Sequence, residues 1–183
     1  MRTRVCLTGR GECSLQPGAL LNKTTWVFGK VIEYLKQRGY TERSLKAAPY
    51  DWRLPPQFQE SRDGYFSRTC RMIEREHEEN GGRPVVLLAH SMGNNMAHYF
   101  LHWVVQHAEQ ARAITLPPQI WLATYVHSFF AIAAPFLGSR QLVRASLTGE
   151  NMGLGAFLNE SDALRVGYQH SYNTHRAFGM VGL

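Results

Sequence analysis

Residues 84–107 constrain this chain more than any other stretch. Pro84 to Ala89 (PVVLLA) is a short, unbroken apolar run that follows the turn Asn80-Gly81-Gly82. A run of this length without polar alternation is expected of a central parallel strand covered on both faces. His90-Ser91-Met92-Gly93 comes next, and then a helix through about His107, with Met96, Phe100 and Val104 at spacing four. A strand that feeds straight into a helix leaves room only for a tight turn. Ala89-His90-Ser91-Met92-Gly93 is one small residue away from the G-x-S-x-G pattern of a nucleophile elbow. The small positions have a steric origin, since the residues two places from the serine crowd the neighbouring backbone, and alanine is the mildest departure from glycine. Ser91 is therefore the candidate nucleophile. The backbone N–H of Met92, at the positive end of the following helix, is the candidate oxyanion donor.

The flanking segments supply the rest of an alternating pattern. Trp26 to Arg38 carries Val27, Val31, Tyr34 and Leu35 at helical spacing, with Gly39 as its stop. Ser44 to Ala48 leads into Pro49-Tyr50-Asp51-Trp52-Arg53, which Pro55-Pro56 ends. Tyr65 to Glu78 places Phe66, Cys70 and Ile73 on one side of an amphipathic helix. Gln106 to Gln119 reads as a polar connector, and a strand is expected at about Tyr125 to Ala133. The apolar stretch Ile120 to Gly138 contains His127, Ser128 and Pro135 and is β-branched and aromatic at its centre. It therefore reads as a buried strand and loop, not a membrane span. Helices and strands in alternation predict an α/β fold with a mostly parallel sheet flanked by helices.

A serine hydroxyl needs a base, and the base needs an orienting carboxylate. Asp162 with His170 or His175 runs in the required order, but the separation is too short for a strand–helix–strand passage. His90 reads as a packing residue, His98, His102 and His107 as surface or interhelix residues, and His127 as a core histidine. The acid and base are accordingly expected outside this chain.

With 183 residues and 44% hydrophobic content, the chain suits one globular domain. Residues 139–183 are its least defined part and a candidate cap or lid. The net charge of +6 comes from scattered Lys and Arg with no run of five, which reads as a basic surface and not as a nucleic-acid module. Cys6, Cys13 and Cys70 form no CxxC pair and no zinc-like spacing, so no metal site is expected; a Cys6–Cys13 bridge stays open. The opening MRTRVCLTGRGEC has no signal-peptide-like apolar stretch.

Several separated motifs agree with one known family. Ala48-Pro49-Tyr50-Asp51-Trp52-Arg53-Leu54, Gly82 to Asn94 (GRPVVLLAHSMGN), Tyr99-Phe100-Leu101 with Trp103-Val104, and Ala134-Pro135-Phe136-Leu137-Gly138 followed by Thr148-Gly149-Glu150 stand in order. This set, from about Thr8 to about Glu150, resembles the lecithin:cholesterol acyltransferase family, and within it the phospholipid:diacylglycerol acyltransferase branch. The resemblance implies a partial α/β-hydrolase fold and an O-acyltransferase without a cofactor. A phospholipid would donate a fatty acyl group to Ser91, and the group would pass to diacylglycerol or a sterol, at a membrane surface, with no nucleic acid involved. Carried over by position, the nucleophile falls on Ser91 and the donor on Met92 N–H, while Tyr50-Asp51-Trp52-Arg53 matches a structural motif. The alternatives are a phospholipase A-type hydrolase of the same family and an inactive lipid-binding remnant. Members are longer, with an upstream strand and loop, a lid and a downstream Asp and His, none of which is matched here. The chain thus reads as an internal piece carrying the nucleophile portion. The branch implies association with the endoplasmic reticulum membrane through a segment outside this chain.

Overall fold

A computed structural model describes residues 4–9, 28–52, 54–140 and 161. The chain divides into two compact units, residues 1–52 with 57–134, and residues 53–56 with 135–183. The first contains the sheet.

Strand β1 (Arg4–Gly9) is followed by helix α1 (Gly29–Gln37), strand β2 (Leu45–Tyr50), and helices α2 (Pro56–Asp63) and α3 (Tyr65–Glu79). Strand β3 (Val85–His90), helices α4 (Met92–His107) and α5 (Pro118–Tyr125), and strand β4 (Val126–Ile132) complete the order. The strands pair in parallel as β2-β1-β3-β4. Leu7 of β1 is opposite Ala48 on one side and Ala89 on the other, so the carboxyl ends of β2 and β3 are level. This is the α/β arrangement with a small parallel sheet expected from the alternating pattern.

Strand β3 forms because five successive residues, Val85 to Ala89, can all be buried. Helix α3 forms because Tyr65, Phe66, Thr69, Cys70, Ile73 and Glu76 share one face. That face meets α4, where the Phe66 ring stacks on Tyr99 at 5.5 Å and on Phe100 at 6.0 Å, and lies against Trp103 at 5.4 Å. Each such fully buried side chain contributes about 1.5–3 kcal/mol by leaving water. Cys70 sits in this core as a free thiol, and burial pushes its pKa well up, so it is a packing residue and not a reactive one.

Three elements differ from expectation. Pro55-Pro56 does not merely end a segment: Pro56 is the first residue of α2, where a missing N–H costs nothing. Glu60 of α2 then caps α3, accepting from Phe66 N–H at 2.7 Å and Ser67 N–H at 3.0 Å. The polar connector closes at Pro118, which opens α5, and Ile120 to Tyr125 is helical, not strand. Trp121 anchors α5, fully buried, with its indole N–H donating to Glu74 at 2.6 Å. A strand that the sequence pattern did not mark is present as β1, the inner neighbour of both β2 and β3. β4 is the outermost strand of the sheet among the described residues, largely half-buried to exposed, with Phe130 60% exposed.

One buried charge stands out in the frame. Glu76 is fully buried on α3, neither oxygen accepts a hydrogen bond among the described residues, and Lys46 Nζ of β2 lies 3.6 Å away. Desolvation holds its carboxyl above the ordinary value of 4.5, with Lys46 opposing. A folded-state pKa raised in this way contributes stability that is fully present below the unfolded value and is lost as pH rises through the folded value. Glu76→Gln is expected to remove this dependence. Its melting temperature should gain on the wild type by a few degrees as pH rises from 4.5 toward neutrality, measured by circular dichroism. A difference that stays constant over that window would contradict the assignment.

Candidate active site

Ser91 occupies the single residue between β3 and α4. Its backbone has φ 51° and ψ −128°, a left-handed conformation that costs a residue with a β-carbon about 1–3 kcal/mol. Such strain persists only where the surroundings impose it, and here they are visible. Ser91 N–H donates to the Ile132 carbonyl of β4 at 3.0 Å, and the Ser91 carbonyl accepts from Asn94 N–H at 3.0 Å. Asn94, fully buried in the first turn of α4, donates through Nδ2 to the Ser91 carbonyl at 2.8 Å and to the Ile132 carbonyl at 2.9 Å. One side-chain amide thus ties the turn both to itself and to the end of the next strand.

The outcome at the surface is chemical. Ser91 is exposed, and its hydroxyl makes no hydrogen bond among the described residues. Met92 is the first residue of α4, so its N–H belongs to the first turn, whose donors have no intrahelical partner. The positive end of the helix dipole lies at the same place. Ala89 and Gly93, the two small positions around the serine, are both buried. A methyl group is accommodated where the elbow pattern has its first glycine.

The remaining candidates separate clearly. His90 is half-buried and meets the Phe28 ring edge-on at 6.1 Å, the packing role expected of it. His98 and His102 are exposed on α4 with ring centroids 4.7 Å apart, and His107 is exposed at its last turn. His127 was expected in the core and is exposed instead, with Nδ1 3.0 Å from Ser128 Oγ. β4 carries no fully buried residue, and His127 stands at one of its exposed positions. Asp162, His170, His175 and the sulfur of Cys6 and Cys13 lie outside the described residues. Among the described residues, no group of three or more His, Cys, Asp or Glu is placed to hold a metal ion. No helix among them is long and apolar enough to cross a membrane.

Asn94 is the residue that reading the sequence did not single out. Its signal was a polar amide on the otherwise apolar inner face of a helix, three residues after the serine.

A parallel sheet with helices between its strands, and a left-handed serine between an inner strand and its following helix, define part of an α/β-hydrolase-type fold. Residues 13–172 match the lecithin:cholesterol acyltransferase family, and the chain belongs to that family. It is 34% identical over 140 residues to a phospholipid–sterol O-acyltransferase of Arabidopsis thaliana, covering 76% of this chain and 21% of that protein. It is 34% identical over 125 residues to a phospholipid:diacylglycerol acyltransferase of Schizosaccharomyces pombe, covering 68% and 19%. A lysosomal phospholipase A and acyltransferase of Mus musculus is 36% identical over 125 residues, covering 68% and 26%. The chain therefore spans about a fifth to a quarter of the length of these relatives.

Proposed function

We propose that this chain carries the nucleophile portion of a phospholipid-dependent O-acyltransferase. Ser91 Oγ attacks the carbonyl carbon of a phospholipid acyl ester, and the N–H of Met92 donates to the oxyanion that develops. Collapse of the tetrahedral species breaks the ester C–O bond and leaves the acyl group on Ser91. The proton from the serine ends on the freed hydroxyl of the lysophospholipid. The hydroxyl of diacylglycerol, or of a sterol, then attacks the acyl-serine, and its proton returns to Ser91 Oγ. Neither half-reaction calls for a redox step or a cofactor.

The observation that carries this reading is the φ 51° backbone of an exposed serine at the head of α4. A conformation that costs free energy and ends in a bare hydroxyl beside helix N–H groups serves acyl transfer better than it serves stability. The names of the relatives give phospholipid as donor and diacylglycerol or sterol as acceptor, which supports the same assignment here. A membrane surface, of the endoplasmic reticulum on the strength of the family branch, would bring both lipids to one interface. Products from phosphatidylcholine labelled in its acyl chains test the reading. Labelled triacylglycerol formed only when diacylglycerol is present, and only with Ser91 intact, is the expected result. Equal synthesis by wild type and Ser91→Ala would reject it.

A second reading, a phospholipase A with water as acceptor, draws on the lysosomal relative, whose name couples both activities. Release of free fatty acid at the same rate with and without diacylglycerol would favour it.

A further inference from the structure

Ser91 shares its unusual backbone with a neighbour. Among the described residues other than glycine, positive φ occurs at Ser91 (51°), Arg112 (50°) and Ala133 (47°). Arg112 belongs to a reverse turn, its N–H donating to the Glu109 carbonyl at 3.0 Å. Ala133 instead stands at the end of a strand. It follows Ile132, the last residue of β4, which is level with His90 of β3, so Ala133 is level with Ser91. Two strained residues that carry β-carbons therefore lie side by side, one strand spacing or roughly 4.8 Å apart.

The Ile132 carbonyl connects the two. Its oxygen accepts from Ser91 N–H at 3.0 Å and from Asn94 Nδ2 at 2.9 Å, which uses both of its lone pairs. The plane of the peptide between Ile132 and Ala133 sets the direction of this carbonyl. Because the peptide is planar, that plane turns only through ψ of Ile132 and φ of Ala133 together. With β4 held in the sheet, bringing φ of Ala133 to an ordinary negative value swings the oxygen away from both donors. Alanine has no polar side-chain group, and Ala133 is exposed, so neither a side-chain bond nor close packing accounts for the strain it keeps. The bonds of the main chain do.

We propose that Ala133 is a positioning residue for the nucleophile. Its positive-φ backbone aims the Ile132 carbonyl at Ser91 N–H and Asn94, and so holds Ser91 in the conformation that presents its hydroxyl. Positive φ is uncommon for any residue with a β-carbon and a true outlier for a β-branched one, which limits what position 133 accepts. The strain thus sits at both ends of one hydrogen bond, and a residue that refuses it at 133 loosens the turn at 91. The consequence for acyl transfer rests on the acyl-enzyme reading of Ser91, whereas the backbone coupling itself does not.

Ala133→Val, Ala133→Gly and Ala133→Asn in the full 183-residue chain separate backbone from bulk. Valine disfavours positive φ, glycine accepts it, and asparagine accepts it while being close to valine in size. Amide exchange at Ser91 N–H, followed by NMR, reads the coupling without any chemistry at the serine. Exchange faster by about tenfold or more is expected in Ala133→Val, and within about threefold of wild type in the other two. Fluorophosphonate labelling of Ser91, at a temperature where each variant is folded, should slow by about tenfold or more in Ala133→Val alone. Unchanged Ser91 exchange in Ala133→Val, or an Ala133→Asn chain that follows valine, overturns the proposal. Faster exchange with labelling at the wild-type rate overturns the positioning role. If Ala133→Val does not fold, the other two variants decide. Both should melt above wild type with Ser91 N–H protected as before, and a lower melting temperature or faster exchange in either overturns the proposal. A wild-type chain that does not label counts against the acyl-enzyme reading and leaves the exchange result standing.

Discussion

Ser91→Ala is expected to abolish covalent labelling by a fluorophosphonate and to lower acyl transfer by at least about 10³-fold, since no other group replaces the nucleophile. Ser91→Gly should lose activity equally and yet melt at a higher temperature than either wild type or alanine variant. The reason is the backbone. At φ 51° a β-carbon is strained, and glycine relieves about 1–3 kcal/mol of that while giving back about 0.5–1 kcal/mol through its freer unfolded chain. Alanine keeps the β-carbon and hence the strain. The two variants together separate chemistry from conformation: residual labelling in Ser91→Ala removes the serine from the mechanism, and a Ser91→Gly variant that melts below Ser91→Ala removes the strain argument.

The second large effect is expected at Asn94. Asn94→Ala leaves the Ser91 and Ile132 carbonyls without the side-chain donor that each now receives, at a cost of about 2–4 kcal/mol for buried groups. For a chain of this size that corresponds to a fall in melting temperature of roughly 5–15 °C. Asn94→Asp is nearly the same shape but turns the donor into a charged acceptor facing two carbonyl oxygens, so it should lose more than alanine does. Both variants should label more slowly at Ser91, because the turn that presents the hydroxyl loses a tether. An Asn94→Ala chain that melts and labels like the wild type would show that the backbone bonds alone hold the turn.

Much of this frame was legible from residue order, for identifiable reasons. α3 and α4 are long enough for a repeating apolar face, and β3 is an apolar run too short for a helix. Gly39, at φ 84°, stops α1 where a left-handed residue is needed. What stayed hidden was either short or dependent on distant partners. α2 and α5 have eight residues each and begin at prolines, which read more readily as breaks than as first-turn residues. β1 has only six residues and gains its place from β2 and β3, not from a pattern of its own. An apolar neighbourhood in sequence points to burial for His127, whereas β4 holds no fully buried residue, so the neighbourhood does not report the exposure of one side chain. The serine turn was readable from small residues around a single hydroxyl. Its support was not, since the Ile132 carbonyl is 38 residues from Asn94 in the chain.

Strand β4 carries a practical consequence. Its Phe130 ring lies largely in water and offers apolar surface to whatever drifts alongside. In concentrated samples the first loss of material is then expected from sticking between correctly folded copies, before any melting. A lysine at that position would be the simplest remedy to try when preparing the chain.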